Sequence, residues 1–341
     1  MIPLRPQNIV ISRTDSIGDV VLTLPMAGLL KKLFPGIYIG FIGRNYTRPV
    51  IEACSHVDEF IDRQEFLAAP VLLRGNTPDC IIHVFPDAAI AWAAMKRGIG
   101  LRIGTTNRVY HWVTCNKLVR LSRRHSDLHE AQLNLQLLRP LGFHSVPALR
   151  EIAAWYGMSP RVPLTAKMKS LLQTGKHNII LHPKSQGSAR EWGLDNFAVL
   201  VALLDKTRYQ VFISGTTGER KELDDFFAQV ADSVIDITGA MPLDEFIAFI
   251  AQADGLVANS TGPLHIAAAV GVPAFGIYAP LRPVHPGRWA PVGTDAHALV
   301  LHRICSECRK SPAACHCIKE VTPQQVASAI YRAEAGRRVT P

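Results

Sequence analysis

The segment NSTGPLHIAAAVGVP, residues 259–273, has the residue types of an anion-binding helix start. It follows a strand-like apolar run, and Ser260 and Thr261 supply hydroxyls directly before Gly262. The free N–H groups of a first helical turn, together with the positive end of the helix dipole, attract phosphate. The segment therefore favours a nucleotide-diphosphate site that includes His265, although an ordinary N-cap and a satisfied first-turn histidine explain the same pattern.

The loop HPKSQGSAREW, residues 182–192, lies between another strand-like run and a predicted helix. Lys184 and Arg190 supply positive charge and Ser185 supplies a hydroxyl. A guanidinium can bind a pyrophosphate through two parallel hydrogen bonds, while an ammonium acts as a point charge. We interpret the loop as part of the same donor site, and an ordinary exposed polar loop is the alternative.

A carboxylate opens the first predicted helix, in the segment SRTDSIGDVVLTLP, residues 12–25. Asp19 follows Gly18 at this helix start, where the helix dipole by itself stabilises a negative side chain. A carboxylate at the carboxyl end of a strand can also take a proton from an acceptor hydroxyl. We predict Asp19 as this base, with Asp15 as the reserve candidate and with Gly18 and Arg13 beside the acceptor.

Two successive series of alternating strands and helices position these loops. The first series begins with a strand at 8–12 and a helix at 20–34, and it ends with a helix at 129–141. The second begins with a strand at 178–182 and a helix at 194–206. Such alternation implies parallel sheets, which bind ligands at the carboxyl ends of their strands. The predicted divisions are an N-terminal domain at 1–150, a linker at 151–165, a C-terminal domain at 166–321, and a helix and tail at 322–341.

The chain has 341 residues, which is long enough for two domains that each bury a core. Its composition, with 48% hydrophobic and 19% charged residues, is that of a globular protein. The N-terminus lacks the basic, apolar and small-residue regions of a signal peptide, so we expect the protein to stay in the cytoplasm. A peripheral position on the inner face of the cytoplasmic membrane is part of this expectation. The net charge of +9 is concentrated in residues 1–165, which hold 19 Lys or Arg against 12 Asp or Glu. This excess can attract a phosphorylated substrate, anionic lipid or nucleic acid, and charge does not choose among them.

Four of the seven cysteines crowd together in the segment CSECRKSPAACHC near the C-terminus. A Cys-x-x-Cys followed by a Cys-x-Cys suits the tetrahedral coordination of a structural zinc ion. Reduced thiols without metal are the alternative. The candidate ligands are Cys305, Cys308, Cys315 and Cys317.

The three loops together resemble glycosyltransferase family 9, the ADP-heptose:lipopolysaccharide heptosyltransferases, and the likeness extends over nearly the whole chain. The family pattern begins with a Gly-Asp pair that opens the first helix, as Gly18 and Asp19 do here. It continues with a basic residue just before a Trp, matched by Arg190 and Trp192, and culminates in residues 260–265, STGPLH. The family commonly carries Asp at the first of these last positions, and Lys in place of the arginine.

The resemblance implies a GT-B fold, in which two doubly wound, Rossmann-like domains face a central cleft. It also implies inverting transfer from a nucleotide-diphosphate sugar, with Asp19 activating the acceptor hydroxyl. Arg190 and the helix start at 261–262 would hold the diphosphate, and Glu219 would hold the ribose, unless it acts only as a helix-start residue. Because cations and a helix dipole take the place of a divalent metal, no cofactor is expected for catalysis.

The implied activity is transfer of a sugar, heptose from ADP-heptose in the family pattern, onto a lipopolysaccharide core or related glycan. The expected partners are a nucleotide-diphosphate sugar and an anionic glycolipid at the inner membrane surface. Two alternatives are a nucleotide-sugar epimerase of the same fold and a basic nucleic-acid-binding protein with a zinc module. Dispersed charge and the lack of a recognition helix after the cysteines argue against a nucleic-acid partner.

Overall fold

The computed structural model of the chain describes residues 6–123, 125–281, 284–301 and 316–338. The chain divides into two compact units, Met1–Ser159 and Pro160–Pro341. The boundary between them falls inside the segment expected to be a linker. None of the helices in the described ranges is long and apolar enough to cross a membrane.

The first unit is built on a parallel six-stranded sheet with the order β3-β2-β1-β4-β5-β6. The chain runs from β1 towards one edge and then returns to β4 on the other side of β1, so the order reverses between these two neighbours. Sheets of this kind bind ligands beyond the strand carboxyl ends at that point. The strands are β1 Asn8–Ser12, β2 Tyr38–Gly43, β3 Glu59–Asp62, β4 Cys80–His83, β5 Leu101–Thr105 and β6 Lys117–Val119.

Helices connect these strands, and short 3-10 turns occupy Asn45–Thr47 and Gln136–Leu141. The apolar, β-branched sequence of β1 is buried along its whole length, as expected of a central strand covered on both faces. On one face Val10 and Ile81 pack with Phe66 and Ile90 from the covering helices. The helices are α1 Ile17–Val21, α2 Pro25–Leu33, α3 Arg48–Glu52, α4 Arg63–Ala68, α5 Ala88–Lys96, α6 His111–Thr114, α7 Glu130–Leu135 and α8 Leu149–Ala153.

The elements of the first unit differ from those expected from the sequence in three places. The single helix expected at 20–34 is two helices, because Pro25 has no N–H to donate to the preceding turn and instead begins α2. The edge strand β6 was not predicted at all, since three residues are too few to establish an alternating pattern. The helix expected at 129–141 is α-helical only as far as Leu135 and continues as a 3-10 turn that contains Pro140.

The second unit repeats the architecture with the strand order β12-β11-β10-β7-β8-β9, again all parallel. Here the order reverses between β7 and β10, which lie side by side. The edge strand β12 was a second omission of the sequence analysis. The strands are β7 His177–His182, β8 Tyr209–Ile213, β9 Ile235–Asp236, β10 Gly255–Asn259, β11 Ala274–Tyr278 and β12 Ala296–Val300.

The core of the second unit is rich in aromatic side chains. Trp192 is fully buried, its ring packs edge-on against Phe197, and its indole N–H donates to the carbonyl of Val321 at 2.6 Å. The C-terminal helix packs against the helix Leu194–Leu203 and contributes Ile330 to this core. The helices are α9 Ala166–Leu171, α10 Leu194–Leu203, α11 Thr217–Arg220, α12 Asp224–Val230, α13 Leu243–Ala251, α14 Gly262–Ala269, α15 Pro286–Trp289 and α16 Pro323–Arg338.

Candidate active site

The predicted base, Asp19, lies in the first turn of α1, in the loop that follows β1. Its Oδ1 accepts a hydrogen bond from the Arg13 guanidinium, and its Oδ2 accepts one from the hydroxyl of the N-cap residue Ser16. The side chain is 18% exposed, and Gly18 precedes it in the same turn. A carboxylate with both oxygens held and one side open to solvent has the fixed orientation that a general base requires.

Arg13 is a buried cation enclosed by carboxylates. Its side chain is 4% exposed, and Nε lies 2.6 Å from Asp15 Oδ1 while Nη1 lies 3.2 Å from Glu130 Oε1. Burial alone disfavours a charged guanidinium, but Asp19, Asp15 and Glu130 together raise the pKa of Arg13 above its ordinary value. Arg13 is therefore permanently charged, and its donors orient the carboxylates of the loop.

Asp15, the reserve candidate, binds protons more tightly than an ordinary aspartate. Burial raises the pKa of Asp15 to about 6; its ion pair with Arg13 opposes this rise, and the charge of Asp19 adds to it. The backbone carbonyl of Asp15 accepts a hydrogen bond from the Tyr46 hydroxyl at 2.6 Å, which anchors the loop. A carboxylate whose pKa lies closer to neutrality is a stronger proton acceptor, so Asp15 competes with Asp19 for the role of base.

Two residues of α7 tie this loop to a second cation, Arg123. Glu130 is fully buried, and the Oε1 that faces Arg13 also accepts from Nε of Arg123 at 2.9 Å. Asn134 lies one helical turn further along and accepts from Arg13 at 3.3 Å and from Arg123 at 3.0 Å. It donates to Thr23 Oγ1 at 3.1 Å. Glu130 and Asn134 were not predicted from the sequence, where the available signal was two polar residues one turn apart in a helix of the first domain.

A pair of buried histidines lies near the carboxyl end of β4. Both ring nitrogens of His83 are buried and have no hydrogen-bond partner among the residues that the structure describes. The ring of His111 lies 5.6 Å away, centroid to centroid. Burial, and secondarily the proximity of His111, lowers the pKa of His83 to about 3, so His83 is neutral at physiological pH. Sequence reasoning did not identify this pair.

In the second unit, the helix start predicted for the diphosphate is present. β10 ends at Asn259 and α14 begins at Gly262, with Pro263 in the first turn, where no intrahelical N–H bond is required. Thr261 occupies the N-cap position, but its side chain makes no capping bond. Its Oγ1 is buried and has no partner within the described ranges. Since such a hydroxyl costs about 1–3 kcal/mol when left unsatisfied, it is poised for a ligand oxygen. His265 is buried within the same helix.

The other polar side chains of this segment bond within the protein. Asn259 accepts from the backbone N–H of Trp192 at 2.9 Å and donates to the carbonyl of Pro183 at 2.8 Å. It thereby joins the loops that follow the neighbouring strands β7 and β10. Burial raises the pKa of Tyr278, and the side chain of Ser260 opposes this rise. The phenol of Tyr278 donates to the carbonyl of Trp289 at 2.6 Å.

The cation Lys184, predicted to bind the donor, is neutralised by two carboxylates. Its Nζ lies 2.8 Å from Glu191 Oε2 and 2.8 Å from Glu222 Oε2. The other oxygen of Glu191 accepts from the N–H and the hydroxyl of Ser185, each at 3.0 Å. Lys184 and Ser185 thus shape the loop after β7, and the charge of Lys184 is already balanced by protein groups.

Arg190, the second cation of this loop, is in a different environment. Its side chain is half-buried and forms no ion pair with any described residue. The turn before it passes through Gln186 and Gly187 at φ 49° and 75°, and Ser188 Oγ donates to the carbonyl of Ser185 at 2.6 Å. Of the two cations predicted to bind the donor, Arg190 is therefore the one whose charge is available to an anion.

Glu219 is buried at the start of α11 and forms a reciprocal cap with Thr216. Its Oε2 accepts from the N–H of Thr216 at 2.7 Å, and its own N–H donates to Thr216 Oγ1 at 3.3 Å. Nearby, His182 lies 3.0 Å from the hydroxyl of Ser214; burial lowers the pKa of His182, while Glu219 acts in the opposite direction. Capping is the alternative role named for Glu219, and ribose binding stays a prediction.

Thr261, Arg190 and Glu219 lie on loops that follow three adjacent strands, β10, β7 and β8. The first two of these strands flank the position where the order of the sheet reverses, which is the usual ligand site of such sheets. The loops offer a helix N-terminus, together with a buried hydroxyl and a guanidinium that have no hydrogen-bond or ion-pair partner, respectively, among the residues that the structure describes. This combination suits a diphosphate.

The predicted zinc ligands Cys305, Cys308 and Cys315 lie outside the described residues. Cys317 is buried in the core of the second unit. Within the ranges that the structure describes, no three His, Cys, Asp or Glu side chains form a group that could hold a metal. Zinc binding by the cysteine segment therefore stays a prediction.

Comparison with known proteins connects these loops to a family. The model of glycosyltransferase family 9 (heptosyltransferase) matches residues 79–319. Lipopolysaccharide heptosyltransferase 3 of Escherichia coli strain K12 is 22% identical over 279 residues, which cover 76% of this chain and 79% of that protein. The structure of E. coli ADP-heptose lipopolysaccharide heptosyltransferase II matches with a TM-score of 0.77 at 20% identity, covering 98% of this chain and 100% of that one.

A second E. coli structure, heptosyltransferase WaaC with ADP, matches with a TM-score of 0.69 at 18% identity and covers 96% of this chain and 99% of that one. These matches confirm the predicted GT-B-like fold, and the two parallel six-stranded sheets agree with it. The family model spans well over half of the chain, including the loops that carry Arg190 and Thr261. The chain is thus a glycosyltransferase and belongs to family 9, the heptosyltransferase family.

Proposed function

We propose that this glycosyltransferase moves a heptosyl unit from ADP-heptose to the core of a lipopolysaccharide-type glycolipid, with inversion at the anomeric carbon. The observation that carries the donor class is the start of α14, where the buried hydroxyl of Thr261 has no partner among the described residues. Two of the structures that match this chain are of E. coli heptosyltransferase WaaC, with ADP and with ADP-2-deoxy-2-fluoro heptose, which supports an adenosine diphosphate sugar as the donor.

In the proposed reaction, Asp19 takes the proton of an acceptor hydroxyl as the oxygen of that hydroxyl forms a bond to the anomeric carbon. The bond from this carbon to the donor diphosphate breaks on the opposite side, and its electron pair leaves with ADP. Negative charge therefore grows on the diphosphate as the reaction proceeds. The N–H groups of α14 and the guanidinium of Arg190 stabilise this charge, so that a divalent cation is not required.

Arg13 and Ser16 hold Asp19 in place for this step. The family motif supports Asp19 as the base, whereas the raised pKa of Asp15 makes that residue its competitor. The variants Asp19→Asn and Asp15→Asn distinguish these two candidates for the base, because Asn has nearly the shape of Asp and cannot accept the proton.

We expect Asp19→Asn to lower kcat at least about 100-fold, the usual contribution of a general base, while ADP binding stays within about twofold. Asp15→Asn should keep the larger part of the activity. The measurement is ADP release with a truncated core acceptor, and ADP affinity is determined in parallel. If instead Asp15→Asn is the inactive variant, the base is Asp15; if both variants turn over normally, proton transfer does not depend on this loop.

The donor assignment is tested by thermal unfolding in the presence of ADP, UDP, GDP or CDP. A ligand at about 100 times its dissociation constant stabilises the folded state by roughly 2.7 kcal/mol. We expect a selective shift with ADP. A selective shift with another nucleotide would exclude ADP-heptose but keep the glycosyltransferase, and no shift with any nucleotide would remove the proposed donor site.

A further inference from the structure

The first unit exposes a compact apolar surface on and beside α6. Val109, Trp112 and Val113 are 86%, 63% and 61% exposed. Val109 lies in the turn just before α6, and Trp112 and Val113 lie on the exposed side of the helix, whereas His111 and Thr114 on its other side are buried. Single exposed apolar side chains are common on proteins, but three within a turn and the short helix that follows it form a patch that indicates a partner.

The indole ring of Trp112 is held in place before any partner binds. Its Nε1–H donates to the backbone carbonyl of Thr106 at 3.1 Å. On the buried side of the same helix, His111 anchors it to the end of β5: Nδ1 of His111 accepts from the N–H of Thr105 at 3.1 Å. Because the only polar group of the indole already has a partner, the ring can leave water without losing a hydrogen bond. Its fixed orientation also reduces the entropy lost on binding.

The chain around this patch is strongly basic. Residues 88–126 contain eight Lys or Arg and no Asp or Glu. Arg108 directly precedes Val109, and Lys117 and Arg120 follow α6 on the edge strand β6 and just beyond it. All three are exposed, and none forms an ion pair with a residue in the described part of the chain. An apolar centre with cations at its border complements an anionic surface that has an apolar interior.

We propose that Val109, Trp112 and Val113, bordered by Arg108 and Lys117, form a docking surface for a bilayer that contains anionic lipid; we call it the α6 patch. The apolar side chains enter the boundary between headgroups and acyl chains, and the cations contact lipid phosphates. A second copy of this chain is a poorer occupant, because a two-fold contact places the same cations opposite each other. The inference goes beyond the proposed function, since docking does not depend on which sugar is transferred.

The test is sedimentation of the whole protein with vesicles of phosphatidylethanolamine and phosphatidylglycerol, and with vesicles of phosphatidylcholine alone. We expect binding to the anionic vesicles that weakens as salt is added. The double variant Arg108→Ala/Lys117→Ala should bind about 25-fold more weakly, from about fivefold for each cation. Trp112→Ser/Val113→Ser should bind at least about tenfold more weakly, because apolar insertion is lost.

Two further variants control for the fold and for the ring. Val199→Ser removes an apolar side chain that is 44% exposed on α10 in the second unit, and it should bind vesicles like the original protein. Trp112→Phe keeps an apolar ring, so it should keep binding but lose the blue shift in tryptophan fluorescence that we expect on vesicle addition. Thermal unfolding of each variant checks that the exposed substitutions leave the fold intact.

The proposal is overturned if the protein does not bind the anionic vesicles, or if the variant Trp112→Ser/Val113→Ser binds them as well as the original protein does. A third result also overturns it. If the original protein self-associates without binding vesicles, and Trp112→Ser/Val113→Ser abolishes this self-association, the patch is an interface between copies of the chain. The vesicles contain neither donor nor acceptor glycan, so these outcomes are independent of the transferase assay.

Discussion

Glu130 connects the fold of the first unit to its candidate base, which makes Glu130→Gln the most informative substitution. The side chain of Glu130 is 1% exposed, and a single oxygen accepts from Arg13 at 3.2 Å and from Arg123 at 2.9 Å. Glutamine has nearly the same shape and keeps an oxygen acceptor. It removes the negative charge and can place an amide NH2 group against the guanidinium groups.

Removal of one partner from a buried ion pair costs about 3–5 kcal/mol. Arg13 keeps Asp15 and Asp19 as partners, so we expect the lower end of this range, about 3 kcal/mol. For a domain of about 150–250 residues, each 1 kcal/mol lowers the midpoint of thermal unfolding by about 2–4 °C. Glu130→Gln should therefore lower the midpoint of the first unit by about 6–12 °C.

The same substitution should lower kcat at least about tenfold, because Arg13 no longer has a third carboxylate to fix its position beside Asp19. ADP affinity should not change, since the proposed donor loops belong to the second unit. Unfolding is followed by circular dichroism in urea and by heating, and transfer is followed by ADP release.

Glu52→Gln is the matched control for this prediction. Glu52 pairs with Arg48 on α3 in the same unit, but its side chain is 45% exposed, so its loss should change stability by no more than about 0.5 kcal/mol. If Glu130→Gln proves as stable and as active as Glu52→Gln, the buried network does not support the base, and the reasoning is refuted.

Three other predictions concern separate parts of the molecule. Thr261→Val removes a buried hydroxyl that has no partner in the described part of the chain, so it should leave the ligand-free protein equally or more stable. It should weaken ADP binding about tenfold or more, as measured by calorimetry. His83 stays neutral in the folded protein to about pH 3, whereas the unfolded chain takes up this proton near pH 6.5. The free energy of unfolding therefore falls as the pH falls from about 6.5 to about 3. His83→Gln should reduce the slope of this free energy against pH by about 1.4 kcal/mol per pH unit, as measured by urea titrations. Purified protein should contain about one zinc per chain by mass spectrometry, and Cys305→Ser/Cys308→Ser should lose it.

Each of these predictions has a clear contrary result. Unchanged ADP affinity in Thr261→Val would place the diphosphate elsewhere, and equal pH slopes would mean that His83 is protonated or exposed before unfolding. Absence of metal from freshly purified protein would leave the cysteine segment as reduced thiols.

Local patterns in the sequence determined the class of fold and indicated the loops of the candidate site. Runs of β-branched residues such as β1 alternate with helices, and a run buried on both faces is recognisable because its central positions, here residues 9–11, are all apolar. The polar residues after β7 and β10 were found because loops at strand carboxyl ends form the site in parallel sheets. The ordered Gly-Asp, Arg-x-Trp and Ser-Thr-Gly motifs then indicated the family that the comparisons confirm.

The partners of polar side chains that lie far apart in the sequence, and the choice between similar residues in one loop, were decided only by the tertiary structure. In the sequence, Lys184 and Arg190 are two cations of the same loop. In the structure, two carboxylates neutralise Lys184, whereas no carboxylate of the described residues pairs with Arg190. Glu130 lies 117 positions after Arg13, a separation at which no periodicity relates two residues. Burial sets the value of such pairs, because charges removed from water must find partners wherever the fold brings them together.

The same distinction applies to the surface of the first unit. The sequence shows that residues 88–126 are basic, but it does not show which side of α6 faces the core. A helix of four residues is too short for its period to be read from the sequence, so the exposure of Trp112 depends on how His111 and Thr114 pack beneath it. Local periodicity therefore specified the elements, while long-range packing decided which of their side chains are left for a partner.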